Sequence, residues 1–123
     1  MTAKRILVID DDLETCEFLS EVFGDAGWSV DTATTPDEAA TKMSERIDLI
    51  VSDVRLGARI DGIELLKRFR RDYPLIPVIL ISGFGSLETA VESIREGAFD
   101  FISKPFNVEE GVATARRAIE FSE

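Results

Sequence analysis

The chain has 123 residues, 45% hydrophobic and 31% charged, with a formal net charge of −10 at pH 7. That length suits one domain with a real core, residues 1–123, and that mixture excludes a disordered chain. The acidic balance argues against direct nucleic-acid binding by this domain, and no apolar run approaches the ~20 residues that cross a bilayer, so no membrane is expected.

The N-terminal "MTAKRILVIDDD" carries too short an apolar stretch for a secretory signal and no small-residue cleavage site. The lone Cys16 cannot form an internal disulfide, and both observations suit a reducing cytoplasm. Five apolar runs are predicted as strands: Ile6 to Ile9, Trp28 to Ala33, Leu49 to Ser52, Val78 to Ser82 and Phe99 to Ile102. Between them lie segments of helical spacing, with Leu19, Val22, Phe23 and Ala26 in the first and Leu87, Ala90, Val91 and Ile94 in the fourth. Thr35-Pro36-Asp37-Glu38 offers an N-cap, a proline at the first helical position and a glutamate at the third. Asn107 with Glu110 repeats the theme for the last helix, and Gly27 and Gly97 stand where the first and fourth should stop.

This alternation predicts a parallel α/β sheet covered by helices on both faces. Runs one, three and four are continuously apolar, as for strands buried on both sides. Run two alternates and run five is interrupted by Asp100, so these suit the edges. The expected order is 2-1-3-4-5, a flavodoxin-like, doubly wound (βα)5 fold in a single domain.

In such sheets ligands bind beyond the carboxyl ends of the strands, beside the point where strand order reverses. Strand one ends in Asp10-Asp11-Asp12, strand three in Asp53, strand four in Ser82 and strand five in Ser103-Lys104-Pro105. Asp12 suits a helix N-cap, and Cys16 a half-buried position in the first helix rather than a redox site. Asp10, Asp11 and Asp53 repel one another unless compensated, and a divalent cation together with Lys104 balances them. Oxygen ligands without a thiolate cluster, in a chain that has no histidine, favour Mg²⁺ or Mn²⁺ over zinc. Such a site suits phosphoryl transfer to a carboxylate, with Lys104 and Ser82 holding phosphoryl oxygens.

Across essentially its whole length the chain resembles the receiver domain of two-component response regulators, the CheY-like superfamily, through "ILVIDDD", "LIVSD", "VILISG" and "DFISKPF" in order. The resemblance implies that Asp53 is the phosphoacceptor, and that Asp11, Asp53 and the backbone carbonyl of Arg55 coordinate the metal beside Asp10. It implies that Ser82 and Lys104 complete the catalytic set, in a domain that catalyses its own phosphorylation and autodephosphorylation rather than acting as a conventional enzyme. It implies a phosphohistidine donor, a histidine kinase or histidine phosphotransfer protein, which fits the missing histidine. It also implies a cis Lys104-Pro105 bond, a switch made of Ser82 and Phe101, and phosphoryl lifetime tuned by Arg55 and Phe84. The helix Leu87 to Glu96, the strand Phe99 to Ile102 and the last helix would then face a partner, a homodimer mate or an output domain. "SLETAVESIREGAFDFISKPF" looks like receivers attached to transcriptional regulators. One departure stands out. Gly57 occupies the place where receivers commonly have proline, and the Gly57 to Ile60 loop leading to Asp61-Gly62 is about one residue longer than usual, which bears on loop geometry and metal affinity.

Three alternatives can be weighed against this reading. A haloacid-dehalogenase-type Mg²⁺ phosphatase would use Asp10 as nucleophile, but Glu14 stands where its motif expects Thr or Val. An FMN-binding flavodoxin-like module would want a Ser/Thr/Gly phosphate loop after strand one, where this chain has three aspartates. A constitutive docking module would not need all five site residues.

Overall fold

Residues 3–56, 60–83 and 87–122 are described by a computed structural model of the chain. The elements alternate as expected: β1 (Arg5–Ile9), α1 (Leu13–Asp25), β2 (Ser29–Ala33), α2 (Pro36–Lys42) and β3 (Leu49–Asp53), then α3 (Gly62–Asp72), β4 (Val78–Ser82), α4 (Leu87–Arg95), β5 (Asp100–Ser103) and α5 (Val108–Phe121). All neighbouring strands of the main sheet run parallel, in the order β2-β1-β3-β4-β5. Hydropathy explains that order. β3 and β4 are buried at every residue and β1 at all but Arg5, whereas β2 buries only Ala33 and β5 no residue at all. Strands two and five each begin one residue later than the apolar runs suggest, because Trp28 and Phe99 lie in the turns that enter them.

Two apolar layers flank the sheet. On one face Cys16, Leu19 and Phe23 of α1 meet Ala115, Ala118 and Ile119 of α5 over β1, β3 and β4. On the other, Ala39, Leu65, Leu66 and Phe69 from α2 and α3 cover Leu7, Ile50 and Leu80, with Phe101 packed against this layer. Cys16 is fully buried, deeper than its place in the helix pattern suggests.

The helix ends follow their sequence signals. Thr35 accepts the Glu38 N–H at 3.1 Å, and Glu38 returns a carboxylate to the Thr34 N–H at 2.9 Å. Asn107 accepts the Glu110 N–H at 3.0 Å, and Asp12 caps α1 by accepting from Glu14. Gly27 and Gly97 adopt φ of 98° and 101°, the left-handed conformation that ends a helix. Thr35→Ala removes one cap from an exposed helix end and is expected to cost about 1 kcal/mol in urea unfolding, with Thr35→Ser retaining most of it.

Helix α4 departs from its pattern. The Leu87, Val91 and Ile94 stripe is exposed, and among its described residues it is Ser93 that is fully buried. The Ser93 hydroxyl donates to the Thr89 carbonyl at 2.8 Å, so the helix satisfies its own buried polar atom and leaves its apolar stripe outside. After β3 the chain forms a small antiparallel ribbon, Arg55–Leu56 against Ile60–Asp61. Gly57 and Phe84 lie outside the described residues.

Candidate functional site

Parallel strands deliver their last residues to one rim, and four of them do so here. Asp10 follows β1 directly, its N–H held by the Ala33 carbonyl at 3.0 Å. Its side chain is almost wholly buried, and its Oδ1 accepts the Asp12 N–H at 2.9 Å. The next two acids diverge: Asp11 stays with the rim, while Asp12 turns away to cap α1 and accept the Thr15 hydroxyl at 2.9 Å. Asp53 ends β3 with 9% of its surface exposed. One of its oxygens accepts the Arg55 N–H at 3.2 Å, and the other faces the Lys104 ammonium at 3.3 Å.

Lys104 is brought across from the far side of the site. Its backbone N–H donates to the Ser82 carbonyl at 2.8 Å, and its bond to Pro105 is cis, as the resemblance implied. The ammonium lies 3.3 Å from Asp53 and 3.7 Å from Asp10. Ser82 is buried at the end of β4, one residue past Ile81, which pairs with Asp53 across the sheet. Phe101 sits one strand further on, half-buried and opposite Leu80.

Ligand oxygens of Asp10, Asp11 and Asp53 all lie within 4.8 Å of one another. Three carboxylates against one ammonium leave a charge of −2 at the rim. The strain of that imbalance falls on Asp10: burial, reinforced by the Asp53 and Asp11 charges, pushes its carboxyl from 3.8 up to about 6 against the pull of the Asp12 N–H and Lys104. Burial works to lower Lys104, yet the Asp53 and Asp10 carboxylates outweigh it and raise its pKa, so it stays charged. The donors fit a hard divalent cation. They are all oxygens, and the residual charge is the one such an ion cancels. The neighbouring sulfur is not a competing ligand. The Cys16 thiol points at the Asp10 carbonyl at 3.3 Å, and burial, then the Asp10 charge, push its pKa up to about 11.

Two features escaped the sequence reading. An apolar cavity of about 230 Å³ opens beside the acids, walled by Phe18, Leu19, Val51, Ile81 and Phe106. Gly62, the first residue of α3, packs directly on the backbone of Asp53 and Val54. The signal for the second was the Asp61-Gly62 pair, visible in the sequence only as a loop end.

Comparisons with known proteins agree with this geometry. The family model of the response regulator receiver domain matches residues 6–116. The chain is 42% identical over 120 residues to the nitrogen assimilation regulatory protein NtrX of Azorhizobium caulinodans, covering 96% of this chain and 26% of that protein. It is 36% identical over 115 residues to the transcriptional regulatory protein ZraR of Escherichia coli, covering 93% of this chain and again 26% of the relative. It thus spans about a quarter of the length of these curated relatives. Among solved structures, the beryllofluoride-activated NtrC4 receiver domain dimer superposes with a TM-score of 0.88 at 36% identity, covering 97% of this chain and 98% of that one. Neither a haloacid-dehalogenase phosphatase nor a flavin module is supported. The chain belongs to the response regulator receiver domain family and is a phosphorylation-controlled switch of the two-component type.

Proposed function

We propose that Asp53 is the phosphoacceptor of this receiver, taking its phosphoryl group from a phosphohistidine on a histidine kinase or histidine phosphotransfer protein. The observation that carries this is the position of Asp53, a nearly buried carboxylate at a strand end, 3.3 Å from an ammonium and within 4.8 Å of two further acids. An Asp53 carboxylate oxygen attacks phosphorus in line. The P–N bond breaks, its electron pair returns to the donor imidazole, and an acyl phosphate forms on Asp53. Lys104 neutralises charge on the transferring group, and the Ser82 hydroxyl donates to one of its oxygens. Asp10, Asp11, Asp53 and the Arg55 carbonyl would hold Mg²⁺ or Mn²⁺, which supplies charge neutralisation at the phosphoryl oxygens. Water later cleaves the acyl phosphate and restores the carboxylate, at a rate tuned by Arg55 and Phe84.

The output surface is α4, β5 and α5. Leu87, Val91 and Ile94 stand exposed on α4, and Phe101 is only half-buried in the adjoining strand. Ser82 drawn toward the phosphoryl group, with Phe101 following, shifts a two-state equilibrium toward self-association or contact with an output domain. Residues 1–123 form the receiver unit, acting in the cytoplasm without touching nucleic acid itself. None of its described helices is long and apolar enough to cross a membrane.

The test is phosphorylation by acetyl phosphate with and without Mg²⁺, with the modified residue mapped and oligomer size recorded. The expected product is a hydroxylamine-labile phosphate on Asp53 that forms only with the metal. Mg²⁺-independent labelling, or label mapped to Asp10, overturns the proposal.

A further inference from the structure

We infer that Gly62 is a positioning residue for the acceptor: its missing side chain lets α3 brace the peptide that carries Asp53. This rests on the proposed role of Asp53 and adds a residue outside the charged set. A Cβ at position 62 would run into the Asp53 carbonyl oxygen, would stand 2.8 Å from the Val54 Cα and 3.1 Å from the Asp53 carbonyl carbon. Each of these is a backbone atom, so no side chain can swing aside to make room. The Gly62 N–H also donates to the Val54 carbonyl, closing the contact from the other side.

Neither partner can withdraw easily. β3 is held between β1 and β4, and the Val54 N–H is bonded to the Ile81 carbonyl at 3.0 Å. The helix is anchored in its turn by Ile63, Leu65, Leu66 and Phe69, all buried in the same apolar layer. Space rather than conformation demands glycine here, because only Gly27 and Gly97 take a positive φ among the described residues. A methyl group at 62 therefore has to shift Asp53 and Val54 or the start of α3. The Asp53 carboxylate and the Arg55 N–H that holds it hang from that same stretch. A cation that demands near-ideal octahedral geometry feels such a shift more than the bulk of the fold does.

Gly24 supplies the control, since a Cβ there meets nothing within 4 Å and alanine is the better helix former. The experiment compares wild type, Gly24→Ala, Gly62→Ala and Leu66→Ala in calorimetric Mg²⁺ titrations of the unphosphorylated protein, with melting curves in EDTA and acetyl phosphate labelling at saturating Mg²⁺. Gly62→Ala is expected to bind Mg²⁺ at least about ten-fold more weakly and to label more slowly even when saturated. Leu66→Ala, which loosens the same helix through the core, is expected to lower the melting temperature without moving Mg²⁺ affinity below its transition. A folded Gly62→Ala with wild-type affinity overturns the inference. Linkage adds a measurement on the wild type that needs no variant: Mg²⁺ should slow hydrogen exchange at the Gly62 N–H several-fold and leave the Gly97 N–H, bonded to Ile94, unchanged. Equal exchange at Gly62 with and without the metal overturns it as well. Should wild type itself take no phosphate, the acceptor proposal fails. Should it label normally while Gly62→Ala binds Mg²⁺ like wild type, only the bracing role fails.

Discussion

Asp53→Asn takes up no phosphate from acetyl phosphate at any Mg²⁺ concentration, a loss expected to exceed about 10³-fold, or roughly 4 kcal/mol of barrier. The exchange is nearly isosteric, and the amide oxygen can still accept the Arg55 N–H that Asp53 accepts at 3.2 Å. What disappears is the anionic oxygen 3.3 Å from Lys104 and one of the three carboxylates within 4.8 Å. A neutral amide is a poor nucleophile and leaves the ammonium facing Asp10 alone, at 3.7 Å. Lys104→Met should keep the nucleophile but lose a preorganised positive charge, and slow labelling by about 10²-fold. The two variants together separate the attacking atom from its electrostatic support. Radiolabel uptake by single-turnover quench measures both. Persistent labelling of Asp53→Asn at the wild-type rate places the reaction on another residue.

Asp10→Asn is expected to stabilise the metal-free protein at neutral pH while weakening Mg²⁺ binding at least about ten-fold. The folded carboxyl titrates at about 6 against an ordinary 3.8, because burial and the charges of Asp53 and Asp11 disfavour ionisation. Between those two values the folded state holds more protons than the unfolded state. Metal-free stability therefore falls as pH rises through that window and levels off above it. The penalty at pH 7.5 is about 3 kcal/mol, and asparagine removes it while keeping the acceptor for the Asp12 N–H. Melting curves in EDTA should show the variant and wild type alike below pH ~4 and diverging by several degrees by pH 7.5. Adding Mg²⁺ should raise wild type more than the variant, since only wild type offers the third charge. Curves that coincide at every pH would show that Asp10 carries no such penalty.

Much of this site could be read from local signals, because each acid sits where a greasy run stops. "ILVIDDD" and "LIVSD" mark strand ends by composition alone, and a parallel sheet has to deliver those ends to one rim. Lys104 was legible for the same reason. Even the neighbours Asp11 and Asp12 could be told apart, because capping chemistry claimed Asp12 for the start of the first helix. They are adjacent and chemically identical, yet one remains with Asp10 and Asp53 while the other caps α1. Helix α4 was less legible. Its periodicity defines an apolar stripe but not the direction in which the stripe points; the stripe lies outside, and the face turned inward buries Ser93, whose hydroxyl is satisfied by the Thr89 carbonyl. Gly62 had no readable role, since the space it occupies belongs to a peptide in another element.

The sequence by itself therefore determined the five-strand order, the helix caps and the supply of three acids, a hydroxyl and an amine to one edge. These follow from hydropathy and capping chemistry that act over a few residues. Only the tertiary structure decided how closely those acids converge, how far Asp10 is pushed toward neutrality, and why the first residue of α3 has no room for a side chain. Lys104 meets Asp53 across 51 residues of sequence, and burial, distance and charge at that range exist only once the sheet has closed around them.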